Sequence, residues 1–148
     1  MTTILNSELI NELTAFFLRR DSWQDWTPTI TQSGNVTVTV NYARYVVLAQ
    51  SVIVRAKLTV TGSGTAGNAV VIGGIPTAIQ PANSGGLSII GIGNIQDSGT
   101  AQYVGALWAN TASDWRLIAH NQTNFVGVTP SFALANGDII GFQAAYER

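Results

Sequence analysis

The sequence predicts a mainly β protein: an antiparallel β-sandwich or jelly-roll-like head preceded by a short N-terminal α-helix. Three observations predict it. Apolar residues recur every four positions near the start, at Leu5, Leu9, Leu13 and Phe17, which is the spacing of one helical face. Beyond residue 35, β-branched and aromatic segments alternate with breaks rich in Gly, Asn and Pro, the rhythm of short strands and turns. No second helical pattern separates those segments, so parallel βαβ units are not expected.

The helix is expected over about residues 5–19. Asn6 or Ser7 is placed to cap its start. Glu8 and Glu12 lie early while Arg19 and Arg20 lie late, which complements the helix dipole. The stripe Leu5, Leu9, Leu13 and Phe17, flanked by Ile10 and Phe16, needs something to pack on. Its own β domain and copies of itself are the two alternatives. Residues 1–22 are therefore read as an oligomerisation or docking element with that stripe as the candidate interface, and residues 23–148 as the head. At the junction, Pro28 favours an extended, edge-like segment. Trp23 and Trp26 beside it pin the junction to the core or offer rings to a ligand.

The strands follow in order. Residues 36–40, VTVTV, alternate with period two. Residues 42–48 and 51–60 are rich in β-branched and aromatic side chains. In the latter, Val52, Val54, Ala56, Leu58 and Val60 share one face, and Ile53, Arg55, Lys57, Thr59 and Thr61 the other. Further strands are expected at 69–74, 87–92, 101–109, 115–119 and 139–146, with 125–128 a weaker candidate. Loops rich in Gly, Ser and Asn at 62–67 and 81–86 divide them.

Composition narrows the function. A chain of 148 residues fits one domain and can bury about 68% of its surface. Hydrophobic residues at 46% argue against disorder. Charged residues are only 10%, while Thr, Ser and Asn supply 37 of the 148 residues, so the polar surface is largely uncharged. A net charge of -1 speaks against a nucleic-acid partner and against a polybasic membrane anchor. With no cysteine, disulfides, thiolate zinc sites and cysteine nucleophiles are excluded. No apolar run is long enough for a membrane-spanning helix, and the N-terminus has no signal-peptide pattern.

Catalytic motifs are missing. His120 is the sole histidine and has no histidine partner for a relay or a metal set. Asp97 and Asp138 lie in turn-like strings, and nothing in the sequence proposes an opposed pair of carboxylates. There is no G-x-S-x-G, no calcium loop and no phosphate loop ending in lysine. The expectation is a protein that is not an enzyme, with no catalytic or metal residues and no cofactor. Stacking surface remains. Trp108, Trp115, Tyr103, Tyr42 and Tyr45 are candidates for flat contacts with sugars, though such rings also fill cores and interfaces. Trp108 precedes a polar loop at 110–114. The candidate ligand-binding set is therefore Trp108, Asn110, Asp114, Trp115, His120 and Asn121.

Several strings together carry a resemblance. WQDWTPTIT at 23–31 is similar to the W-x-x-W/Y-TPT-x-T opening of many bacteriophage tail-fibre and tail-tip heads. Tyr42, residues 43–45 and RAKLTVTG at 55–62 match the tyrosine-bearing strand and the long basic strand that follow there. GNAVVIGGIP at 67–76 and GDIIGFQAAY at 137–146 resemble the later elements. One departure is the run after Tyr45, VVLAQ, which replaces a glycine-bearing turn. Either the turn is built differently or the strand continues.

The resemblance covers residues 23–146. It implies a compact, commonly trimeric β-sandwich head that binds a host-surface saccharide or protein and does no catalysis. The expected partners are further copies of the chain, as a homotrimer, the host-surface receptor, and other virion structural proteins. The expected place is the virion, at a tail tip or on the capsid surface, after synthesis in the host cytoplasm without a signal peptide. A start at Met1 directly before the helix also suits a trimeric capsid decoration or head-fibre protein with no glycan site.

Overall fold

The computed structural model describes residues 6–19, 22–82, 84 and 88–148, and side chains from residue 16 to residue 19 are not among those described. The helix forms as α1, Ser7–Arg19. Asn6 is its cap: the side-chain Oδ1 accepts the Leu9 N–H at 2.8 Å, satisfying one of the first-turn donors. Leu9, Ile10 and Leu13 are 41%, 48% and 42% exposed. The described part of the predicted stripe is thus not covered by the chain's own sheet. Leu5 and the side chain of Phe17 lie outside the described residues.

Ten strands follow: β1 (Gln24–Asp25), β2 (Thr29–Thr31), β3 (Asn35–Val36), β4 (Val38–Leu48), β5 (Ser51–Val60), β6 (Val71–Gly73), β7 (Ser88–Asp97), β8 (Ala101–Thr111), β9 (Asp114–Ala119) and β10 (Ile139–Glu147). A short 3-10 turn, Thr77–Ile79, separates β6 from β7. The strands form one hydrogen-bonded sheet in the order β1-β4-β5-β10-β7-β8-β9-β6-β2-β3, and every pair is antiparallel. β3 ends the order at one side, yet only Thr37 separates it from β4, next to the opposite end. The sheet must therefore curl until its ends meet. Thr37 makes the seam, its carbonyl accepting the N–H groups of Thr61 and Gly62 at 2.9 and 3.1 Å. The curl brings two halves of the sheet face to face, as in a sandwich.

The core fills the space between them. Val52, Val54, Ala56, Leu58 and Val60 are all buried, as the alternation in β5 predicts. They meet Ile95, Leu107, Trp115, Ile140 and Phe142 in one cluster. Glycines let the central strands close in: a Cβ on Gly105 would lie 1.9 Å from the Ile118 carbonyl oxygen, and one on Gly91 2.1 Å from that of Gln143.

Two expectations change. The segments at 36–40 and 42–48 belong largely to one strand, β4, which runs on through Val46 and Val47 and turns at Ala49, whose φ is 54°. This resolves the departure noted after Tyr45 in favour of a continued strand. Residues 125–128 form no strand. Val126 is nonetheless buried, its N–H donating to the Leu117 carbonyl and its own carbonyl accepting from Val70. The apolar run there marks burial in a loop.

That long loop is held by two buried polar side chains. The Gln32 amide donates to the Asn68 and Phe132 carbonyls at 3.1 and 2.8 Å and its Oε1 accepts the Leu134 N–H at 2.9 Å. Asp138 accepts the N–H groups of Ser98 and Ala135, each at 2.8 Å.

Candidate functional site

The six predicted ligand residues do not come together. Trp115 is fully buried, with its ring packed edge-on against Trp26, Phe142 and Tyr146. It has no face to offer a ligand, so its predicted role is corrected to a core residue. The inward parity of β9 decides this, since Trp115, Leu117 and Ala119 alternate into the core. Trp108, Asn110 and Asp114 gather at the β8–β9 hairpin. His120 and Asn121 are exposed at the other end of β9, six residues from Asp114 and so about 20 Å away along an extended chain.

At the hairpin, Asn110 is the extra residue of a β-bulge, between the pairs Ala109–Trp115 and Thr111–Asp114. Its amide donates to Asp114 Oδ2 at 3.0 Å. Arg116 grips the same carboxylate with both arms, Nε to Oδ1 at 2.8 Å and Nη2 to Oδ2 at 2.6 Å. Its guanidinium also lies 5.0 Å from the centre of the Phe125 ring. Half-buried Trp108 sits opposite Arg116. The carboxylate is thus committed to the hairpin.

Burial pushes the Asp114 carboxyl up, but the hydrogen bonds from Arg116 and Asn110 and the guanidinium charge outweigh it and hold it below the ordinary range. A carboxyl depressed in the folded state lends stability above its unfolded pKa of about 3.9, and this is lost as pH falls through the folded value. Asp114→Asn is expected to cost about 1 kcal/mol near neutral pH, at the low end for a charge-assisted pair because both groups remain partly in water. Urea unfolding at a series of pH values should show the gap to the native protein narrowing below about pH 4.

The surface that does converge lies on the outer face of β4, β5, β10, β7 and β8. A β-bulge creates it. Val40 pairs with Leu58 and Tyr42 with Lys57, leaving Asn41 as the extra residue. Before the bulge Val38 and Val40 point inward with Leu58. After it Ala43 and Tyr45 do, and Tyr42 and Arg44 face solvent. Asn41 Oδ1 accepts the Thr59 hydroxyl at 2.9 Å, which anchors the bulge.

Cross-strand registers then define two rows. One runs Tyr42, Lys57, Gly141, Asn94, Val104, and the other Arg44, Arg55, Gln143, Ile92, Ala106. Gly141 leaves the middle low, and an open cavity of about 480 Å³ lies there, with Arg55 and Lys57 on one bank and Ile92 and Val104 on the other. A second cavity of about 370 Å³, lined by Trp23, Tyr42, Arg44 and Arg55, adjoins it through the shared Tyr42 and Arg55. Trp23, Tyr42, Ile92 and Val104 are all substantially exposed.

The outward set of β5 was readable in the sequence. The bulge that adds Tyr42 and Arg44 had no signal there beyond an asparagine between two β-rich runs. Among the described residues no three His, Asp or Glu side chains gather as a metal site, and no helix is long and apolar enough to cross a membrane.

No protein-family model matches the chain. No curated protein matches it either. Among solved structures it is similar to the receptor binding protein (gp15) of Listeria phage PSA, with 15% identity and a TM-score of 0.47 over 95% of this chain and 75% of that one.

Proposed function

We propose that this chain is a bacteriophage virion protein, a tail-fibre or tail-tip head that attaches to a saccharide on the host-cell surface as a homotrimer. The observation that carries the reading is the outer sheet face. It presents amides, cations and exposed rings on a rigid β scaffold, and among the described residues no hydrogen bond or ion pair engages the three basic side chains there. Such a mixture suits sugars, whose hydroxyls take hydrogen bonds and whose ring faces stack on aromatics. A binding role without chemistry is supported by the carboxylates of Asp114 and Asp138, both tied into structural hydrogen bonds. Self-association is supported by the uncovered residues Leu9, Ile10 and Leu13 on α1, since so short a helix is marginal by itself.

Fluorescently labelled protein should bind susceptible bacteria saturably and block infection by the parent phage. No binding to those bacteria, with uptake onto undecorated capsids instead, would replace attachment by capsid decoration. Light scattering should give a native mass about three times 15.7 kDa, as a closed cyclic assembly predicts. Removing residues 1–20 should lower the number of chains per particle while circular dichroism keeps its β signal. An unchanged number of chains would take assembly away from the helix.

A further inference from the structure

We propose that the outer face holds a site for the negative group of an acidic saccharide, a carboxylate or a phosphate, seated among Arg44, Arg55 and Lys57. The inference rests on the saccharide-attachment reading and names the class of sugar. The chain has only seven Lys and Arg residues, and three of them occupy neighbouring places on two strands. Arg44 and Arg55 are direct cross-strand partners, an arrangement that is destabilising for like charges. Lys57 follows Arg55 on the same face, about 7 Å along β5.

Among the described residues no ion pair or hydrogen bond engages these three side chains. The one ion pair among the described residues is Asp114–Arg116 at the distant hairpin. Asp25 pairs with Arg44 in register on the other side, in β1, but lies beyond ion-pair distance. A surface charged only for solubility would mix the signs evenly, whereas here Arg44, Arg55 and Lys57 outnumber the single neighbouring carboxylate of Asp25 where two cavities meet.

The geometry also offers the rest of a sugar site. The Arg44 guanidinium lies 6.0 Å from the centre of the Tyr42 ring, so the ring helps place the fork that meets the anion. Arginine pairs with carboxylate and phosphate through two parallel N–H donors. Trp23 lines the same cavity as Tyr42 and both arginines, so a sugar ring can rest on an aromatic face while its acid group meets the guanidinium groups. The Gln143 amide, next in the arginine row, is placed for a hydroxyl.

Two pairs of probes test this by calorimetric titration: hexagalacturonate against its methyl ester, and phosphorylated pentamannose against the dephosphorylated form. At least one charged probe should bind about 10-fold or more tighter than its neutral partner, and added salt should weaken it. Which charged probe binds identifies the acid group. Arg44→Gln and Arg55→Gln should each lower that affinity about 10-fold, with circular dichroism unchanged, and Thr123→Ala, at an exposed position in the loop after β9, should leave it as it was.

Equal binding of charged and neutral probes, binding of neither charged probe at millimolar concentration, or unaltered affinity in both arginine variants would overturn the site. Cell attachment separates this inference from the broader reading. Saturable attachment that survives Arg44→Gln and Arg55→Gln would end the anion site and keep the receptor role. Binding of a charged probe without attachment to cells would do the reverse.

Discussion

Replacing Trp115 by alanine is expected to destabilise the protein by about 4 kcal/mol, within the range for emptying a buried tryptophan site. Among the described residues no other side chain has as many aromatic contacts. Its ring centre lies 6.3 Å from that of Trp26, 6.4 Å from Phe142 and 5.7 Å from Tyr146, each in an edge-on arrangement. These rings come from the junction segment and from β10, so the tryptophan ties the start and end of the head to β9. Tyr146 is fixed in turn by donating its hydroxyl to the Ile79 carbonyl, and burial pushes that phenol up. The indole N–H of Trp115 is buried with no acceptor among the described residues. Trp115→Phe removes that unpaired donor while keeping an aromatic ring, so it should cost about half as much as alanine. Denaturant unfolding followed by circular dichroism measures both. Equal losses for the two variants would refute edge-on ring packing as the source of the stability.

Gln32→Leu should cost about 3 kcal/mol, though it changes volume little, because one buried and two part-buried backbone groups lose their partner together. Gln32 lies just beyond β2 but holds residues 36, 100 and 102 positions away in sequence. The fit around it is close. A Cβ on Gly64 would lie 1.9 Å from its Oε1, and one on Gly127 2.8 Å from its Nε2. Gly127 also has a φ of 99°, a conformation that side chains disfavour. Amide hydrogen exchange should show the loss most clearly at Leu134, whose N–H donates to Gln32 Oε1. A leucine variant with undiminished protection there would show that the amide does not hold the loop.

Much of the fold was legible, and the reasons differ by element. In β5, ten residues keep strict alternation without a bulge, so both its limits and its inward face could be read from the sequence. The α1 cap was equally local, an asparagine three residues before the N–H that it accepts. β4 was harder. Continuing the VTVTV parity would bury Tyr42 and Arg44 and expose Ala43 and Tyr45, but one added residue at Asn41 reverses all four. A bulge depends on the partner strand, which sequence spacing does not display.

The fold divides the candidate ligand residues for a related reason. Trp108, Trp115 and the polar residues around them are close in sequence, but strand parity sends Trp115 inward and strand length carries His120 away. Arg44, Arg55 and Gln143, far apart in sequence, become neighbours through register alone.

The place of β10 in the sheet bears on how the chain reaches this state. It follows every other strand in sequence, yet lies between β5 and β7. During synthesis those two strands present open edges until residues 139–147 emerge to fill the slot, and exposed edges invite pairing with other chains. The nascent protein is therefore most vulnerable to intermolecular β pairing just before its last strand is available. Such long-range closure also makes for slow folding. A helix that gathers copies early would raise the local concentration of these unfinished heads, so their assembly and final strand insertion must be kept in step.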